Sequence, residues 1–110
     1  MSDKPFLVIR VQIDPSVLEE FERWYREVHL RNMLSLPGVV GAYRLNSARP
    51  GAQWVAIFKF DSEAALQESF NSPEASRARQ AWQRWMPHIS EISVEVYTTL
   101  GAIPPYHHWN

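Results

Sequence analysis

The sequence has 110 residues, with 11 lysine and arginine residues against 12 aspartate and glutamate residues, and a formal net charge of −1 at pH 7. This length predicts a single domain over residues 1–110, and the near-neutral balance argues against binding to nucleic acid or to an anionic membrane surface. The absence of cysteine excludes disulfides, thiolate metal sites and a cysteine nucleophile. The amino-terminal stretch has charges within a short apolar run, which predicts neither a signal peptide nor a membrane span, so we expect a soluble cytoplasmic protein.

The chain begins with a strand followed by a long helix. Residues 6–13 alternate, with one strongly apolar face, which is typical of a strand. Asp14-Pro15-Ser16 supplies a capping side chain and a proline for the first turn, so a helix is expected from about Pro15 to Leu34. Pro37-Gly38 then breaks the chain.

The remaining elements complete a familiar order. Strands are predicted over 39–45, 53–60 and 92–99, with a turn over 46–52. Between the last two strands, Asp61 or Ser62 caps a short helix to about Phe70, and a further helix follows from about Glu74 to Trp85. The order β-α-β-β-α-β predicts a ferredoxin-like α+β fold, an antiparallel sheet with helices on one face.

The face of this sheet that lacks helices is also apolar. Phe6 and Val8 point to it, and the strand over 53–60 carries apolar residues on both of its faces. A patch of this size is expected to be covered, most economically by a second copy packed face to face. The sequence therefore predicts a symmetric homodimer.

The long helix carries the main candidate for chemistry. One broad face is formed by Val17, Leu18, Phe21, Trp24, Tyr25 and Val28. His29 falls at the margin of that face, one turn after Tyr25. A histidine pointing between helix and sheet can move a proton near neutral pH, and Tyr25 could orient it or hydrogen-bond a substrate oxygen. The alternative is a structural His29 that bonds a strand carbonyl or a carboxylate.

Other residues are candidates for lining a pocket or for packing. Tyr43 and Trp54 are expected on strands facing one side of the sheet, and Tyr97 lies on the last strand. His88 either caps the carbonyls at the end of the second long helix or joins the pocket rim. Trp82 and Trp85 are expected to pack against the sheet.

Two arginines lie inside otherwise apolar strands. Arg10 and Arg44 must reach solvent, meet a carboxylate across the dimer, or bind an anionic substrate, because an unpaired buried charge is costly. The four histidines lack carboxylates at ligand spacing, so no metal site is predicted.

The run FERWYREVHLRNMLSLPGVVGAYRL, followed by WVAIFKF, SPEASRARQAW, WMPHIS and VEVYTTL, resembles the EthD-like branch of the dimeric α+β barrel superfamily over roughly residues 6–99. The family's recurrent helix-one histidine corresponds to His29, and the aromatic pair before it to Trp24 and Tyr25. The proline that often follows this histidine in the family is absent, since the chain reads His29-Leu30-Arg31.

The resemblance implies a homodimer of ferredoxin-like subunits, each with an apolar pocket between its helices and its sheet. Superfamily members include cofactor-free oxygenases of aromatic polyketides, lactone isomerases, polyketide cyclases and dehydratases, haem-dependent enzymes and stress-response proteins. The first hypothesis is a cofactor-independent enzyme that uses His29 and Tyr25 for acid/base chemistry on a hydrophobic, cyclic or aromatic oxygenated molecule, as an isomerase, dehydratase or cyclase. Oxygenation of an anthrone-like substrate is the neighbouring alternative.

Two further hypotheses are a non-catalytic dimer that binds a ligand or serves in stress response, and a haem protein with a histidine axial ligand. Trp24, Tyr43, Trp54, His88 and Tyr97 are the predicted substrate-binding residues. The apolar tail over 101–110, stiffened by Pro104-Pro105, is expected to pack on the body, crossing to the partner subunit or closing a pocket mouth, and the alternative is a disordered tail.

Overall fold

The computed structural model describes residues 4–48 and 50–100, so the tail over 101–110 lies outside the described residues. The strands are β1 (Phe6–Ile13), β2 (Val39–Asn46), β3 (Trp54–Phe60) and β4 (Ile89–Tyr97). The helices are α1 (Leu18–Trp24), α2 (Leu30–Leu34), α3 (Glu63–Phe70) and α4 (Pro73–Ala81). Within the described residues, no helix is both long and apolar enough to cross a bilayer.

The four strands form one antiparallel sheet in the order β2-β3-β1-β4. This is the predicted ferredoxin-like α+β fold, which the structure confirms. The alternation of β1 determines which face packs against the helices, because Leu7, Val11 and Ile13 belong to one buried cluster with α1, α3 and α4. We call this the inner face of the sheet, and the opposite one the outer face.

The first helix differs from the regular helix predicted over 15–34. It begins with a 3₁₀ turn at Pro15–Val17, where the Asp14 carboxylate accepts the Ser16 backbone N–H at 2.9 Å. Between α1 and α2 lies a π-helical turn, Tyr25–His29, in which the Leu30 N–H reaches the Tyr25 carbonyl. π-Helical turns contain one extra residue and often occur at functional sites.

Strand β4 begins at Ile89, earlier than the predicted Ile92. Ile13 pairs with Ile89 and Gln12 pairs with Glu91, so one extra residue of β4 is accommodated as a β-bulge. The bulge extends the pairing back to the 3₁₀ turn Met86–His88 that precedes the strand.

The predicted break at Pro37-Gly38 is confirmed. Gly38 has a φ of +85°, and a Cβ at this position would collide with the Cβ of Ala65 on α3. The Gly38 carbonyl also accepts the Asp61 N–H at 2.7 Å. Only glycine therefore combines this backbone conformation with the close approach of α3.

Candidate functional site

A cavity of about 320 Å³ lies between the helices and the inner face of the sheet. Its wall is predominantly apolar and comes from β1, β3, β4, the first helix, α3, α4 and the 3₁₀ turns after α4. The described lining residues are Leu7, Ile9, His29, Met33, Leu36, Phe60, Ser69, Phe70, Ala75, Ala78, Arg79, Trp82, Gln83, Met86, Ile92 and Val94.

Small residues on α4 leave room for this cavity. Ala75 and Ala78 face it one turn apart, and Trp82 continues the same face of the chain one turn later. On the opposite side, Ile92 and Val94 of β4 project from the inner face but keep 38% and 59% of their surface exposed. The cavity is therefore open to solvent along the β4 edge.

His29 lies in the cavity wall and has only 1% of its surface exposed. Its ring stacks on Trp24, with ring centroids 4.9 Å apart and planes 25° from parallel. Its Nε2 accepts the indole N–H of Trp82 at 3.0 Å. The prediction that His29 points between helix and sheet agrees with this geometry, but its partner is an indole and not a strand carbonyl or carboxylate.

The protonation state of His29 follows from these contacts. Burial lowers its pKa from the ordinary 6.5 to about 4, so the ring is neutral at pH 7. Because Nε2 accepts a hydrogen bond, the single ring proton belongs on Nδ1. Nδ1 is itself buried and has no hydrogen-bond partner among the described residues. His29 is therefore a neutral imidazole with a defined tautomer.

Trp82 is a functional candidate that the sequence does not single out, because its place on the second long helix predicts packing against the sheet. It both lines the cavity and bonds His29. The available signal was its spacing, because Ala75, Ala78 and Trp82 recur on one helical face. Small residues on a helix face that points towards the core leave space unfilled, so the pattern indicates a cavity beside the helix.

Tyr25 is fully buried but is not among the lining residues of the cavity. Its ring centroid lies 5.0 Å from that of His29, and its hydroxyl has no hydrogen-bond partner among the described residues. Burial raises the pKa of the Tyr25 hydroxyl, and the charges of Arg44 and Glu22 act on the same group. Trp82, rather than Tyr25, therefore orients the imidazole.

Trp54 and Arg44 meet at one carboxylate outside the cavity. The Glu22 Oε2 accepts from the Arg44 Nη1 at 2.7 Å and from the Trp54 Nε1 at 3.2 Å. The Arg44 partner is thus a carboxylate of its own chain. Arg10 differs, because its Nη2 is buried without a partner among the described residues.

The other predicted binding residues lie away from the cavity. Tyr43 pairs with Ile57 while Trp54 pairs with Asn46, so Tyr43 and Trp54 project from opposite faces of the sheet. The expectation that they face one side is wrong. Side chains alternate between the two faces along a strand, and Ile57, the partner of Tyr43, is three positions from Trp54 and so points to the other face. Tyr97 pairs with Phe6 on the outer face.

His88 is exposed at the end of the 3₁₀ turn before β4 and does not line the cavity. Its backbone carbonyl accepts the Asp14 N–H at 2.9 Å. The pKa of the Asp14 carboxyl is lowered, first by the Ser16 hydrogen bonds and to a smaller extent by the charge of His88. The side chain of His88 therefore neighbours the start of the first helix rather than the pocket rim.

His29 does not offer an open ligand position to a haem iron. Its Nε2 is occupied by the Trp82 N–H and its Nδ1 has no accessible surface, so iron would bind His29 only if the Trp82 bond were broken. Within residues 4–48 and 50–100, no three or more histidine, aspartate or glutamate side chains are grouped so that they could hold a metal ion.

The model of the antibiotic biosynthesis monooxygenase family matches residues 6–85, and the chain belongs to this family. The match agrees with the dimeric α+β barrel superfamily that the sequence resembles. No curated protein matches the chain significantly.

Several solved structures share the fold. SnoaB from Streptomyces nogalater, a cofactor-independent oxygenase, has 19% identity and a TM-score of 0.70, with 94% of this chain and 99% of that chain covered. HapK from Hahella chejuensis has 18% identity and a TM-score of 0.70, covering 89% and 94%. An ethyl tert-butyl ether D (EthD) family protein from Bacillus halodurans has 12% identity and a TM-score of 0.69, covering 84% and 95%.

Proposed function

We propose that the chain is a cofactor-independent enzyme that oxygenates a hydrophobic, cyclic or aromatic oxygenated molecule bound in the cavity. The observation that carries the proposal is the neutral imidazole of His29, which Trp82 holds in the wall of that cavity with 1% of its surface exposed. The family name and the likeness to a cofactor-independent oxygenase favour oxygenation over isomerisation, dehydration or cyclisation.

The reaction begins with removal of a proton from an acidic carbon of the substrate. The Nε2 of His29 has the lone pair that takes this proton, and the substrate displaces the Trp82 N–H that occupies Nε2 in the free cavity. Burial lowers the pKa of His29 to about 4, so the ring enters each cycle neutral, and the imidazolium forms only beside the negative charge of the substrate carbanion, which stabilises it.

The carbanion then reduces dioxygen, the second substrate. The new carbon–oxygen bond gives a peroxide anion, which the His29 imidazolium protonates. His29, now neutral again, takes the second proton from the same carbon, the oxygen–oxygen bond breaks, and the hydroxide that leaves receives this proton, so that a CH₂ group and O₂ become a carbonyl group and H₂O. The apolar wall excludes water from the carbanion.

The test uses anthrone as the substrate, with oxygen uptake and anthraquinone formation as the readouts. We expect the purified protein, with no added flavin or metal, to accelerate both above the protein-free rate. His29→Gln is expected to lower this acceleration by about 100-fold, whereas Arg77→Met, an exposed change on α4, leaves it unchanged.

The other hypotheses give different outcomes in the same assay. Isomerisation of anthrone without oxygen uptake would show acid/base chemistry alone and overturn the oxygenase. Binding without turnover, seen as tryptophan quenching, would leave the non-catalytic dimer. Full activity in folded His29→Gln protein would remove His29 from the mechanism.

The predicted homodimer is also part of this proposal. The outer face presents Tyr43, Leu45 and Tyr97, with 54%, 48% and 50% of their surfaces exposed. Covering such side chains stabilises a face-to-face dimer by the hydrophobic effect. In this arrangement Tyr43 and Tyr97 belong to the subunit interface rather than to the substrate pocket.

A further inference from the structure

We propose that Arg79 binds a carboxylate attached to the ring system of the molecule in the cavity, so that the ligand is a hydrophobic ring acid. This inference rests on the proposed function, because it assigns a substrate class to the same cavity. The apolar wall would hold the rings, and the guanidinium would hold the acid group.

Among its described lining residues, the cavity wall carries a positive charge and no negative one. Arg79 is the charged side chain among the described lining residues, which include no aspartate or glutamate, and the neighbouring His29 is neutral at pH 7. The polar side chain of Gln83, one turn after Arg79, also lines the cavity. A ligand with one negative end and an apolar body complements such a wall, whereas a cation would meet repulsion.

The Arg79 guanidinium is available for this contact. In the described part of the chain, its one hydrogen bond runs from Nη1 to the carbonyl of Phe70 at a long 3.4 Å. Phe70 lines the cavity as well, which places the guanidinium at the rim. A guanidinium has five N–H donors in a planar fork, so most of its donors remain free for a carboxylate.

Two neighbouring arginines, unlike Arg79, have a carboxylate or an aromatic ring as a partner. Arg77 lies 3.6 Å from the Glu74 carboxylate on α4. The Arg84 guanidinium lies over the Trp85 ring, 4.6 Å from its centroid. Neither lines the cavity. Arg79 thus combines a place in the wall with the lack of an ion pair among the described residues.

The test compares two rings of equal shape, 2-naphthoate and the neutral 2-naphthamide. Binding is followed by NMR through the indole N–H signal of Trp82, which lines the cavity and is identified by its loss in Trp82→Phe. We expect 2-naphthoate to bind about fivefold more tightly than the amide, and this preference to shrink as NaCl is raised.

The matched variants are Arg79→Met and Arg77→Met. Arg79→Met keeps the aliphatic stem, so it should remove the preference for naphthoate while the amide binds as before. Arg77→Met should retain the preference. Equal losses of both ligands in Arg79→Met, or naphthoate binding no tighter than amide binding in the wild type, would overturn the inference.

The same titrations separate this inference from the proposed function. If the amide binds at the Trp82 signal but naphthoate gains nothing, the cavity remains a ligand site and the role of Arg79 is lost. If neither ring perturbs that signal, the cavity takes no flat ring and both proposals fail together.

Discussion

The side chain of His29 is surrounded by aromatic rings and is shielded from water. Its ring centroid lies 4.9 Å from that of Trp24, 5.0 Å from Tyr25 and 5.5 Å from Trp82. No carboxylate among the described residues bonds the ring, and burial is the cause of its lowered pKa. An imidazolium in this place would lose its hydration without gaining an opposite charge. The surroundings therefore keep the histidine neutral.

The lowered pKa of His29 predicts a specific pH dependence of folding. The unfolded chain binds the proton with a pKa near 6.5 and the folded chain with one of about 4. The unfolded state thus holds more protons between these values, so stability is complete above about pH 6.5 and is lost as pH falls towards 4.

Urea unfolding at pH 7.5 and pH 5 measures this effect. We expect the wild type to lose about 2 kcal/mol more than His29→Gln between the two pH values. His88→Gln is the control, because His88 is exposed and its variant should follow the wild type. Equal losses in wild type and His29→Gln would contradict the burial argument.

The Trp82–His29 hydrogen bond gives a second prediction at this scale. Trp82→Phe removes the donor and leaves a buried acceptor unsatisfied, so unfolding should become easier by about 1–2 kcal/mol more than in Trp85→Phe. Trp85 is the matched control because its buried Nε1 has no partner among the described residues.

The same variant should change the tautomer of His29. In the wild type, ¹⁵N spectra of the ring should show protonated Nδ1 and unprotonated Nε2. In Trp82→Phe the two forms should mix, because the bond that selects one of them is gone. An unaltered ring spectrum would mean that another contact fixes the tautomer.

At the scale of elements, the π-helical turn explains why helical periodicity placed His29 only at the margin of the apolar face. Positions four apart drift by about 40° per step on a regular helix. The extra residue in Tyr25–His29 cancels this drift, so His29 is buried while Val28 keeps 47% of its surface exposed. A prediction made from the regular α-helical period cannot account for this extra residue.

The strands were easier to predict than the site. Alternation in β1 predicted which of its residues face the helices, and proline, glycine and capping serine residues marked the turns. The Trp82–His29 bond joins residues 53 positions apart, and no local pattern encodes such a contact. The bulge in β4 was missed for a similar reason, since pairing with β1 creates it.

The connection at Gly38 provides the prediction for this scale. Gly38→Ala should lower the free energy of unfolding by about 2–4 kcal/mol, because the new methyl group meets both a positive φ and the Cβ of Ala65. Gly51→Ala is the control with φ +76° and its nearest neighbour at 3.8 Å. It should cost about 1 kcal/mol in urea unfolding.

Equal costs for Gly38→Ala and Gly51→Ala would show that α3 shifts away from the new methyl group without loss. The packing of α3 against the turn before β2 would then be loose. A larger cost at Gly38 supports close packing between these elements.

The whole molecule has two unequal sheet faces. The inner one carries the core and the cavity, whereas the outer one holds a partly exposed band that includes Tyr43, Ile57 and Tyr97. Ile57 lies in β3 beside Val8 of β1, near the middle of this band. If a second copy covers the band, its centre tolerates no charge.

Ile57→Glu should therefore convert the proposed dimer into a monomer, as measured by light scattering after size-exclusion chromatography. Leu34→Glu is the control, because Leu34 is a 51% exposed apolar residue on α2 and not on the sheet. A monomeric wild type, or a dimeric Ile57→Glu protein, would show that the outer face is not the subunit interface.

Substitution of the two alanines of α4 would change the size of ligand that the cavity accepts. Ala75 and Ala78 contribute only methyl groups to the cavity wall. Exchanging them for serine, valine or leucine would narrow the hollow step by step, while the imidazole and its indole partner stay in place. Substitutions on one short helix face would thus alter the size of the accepted ligand, in evolution or by design, without changing any strand.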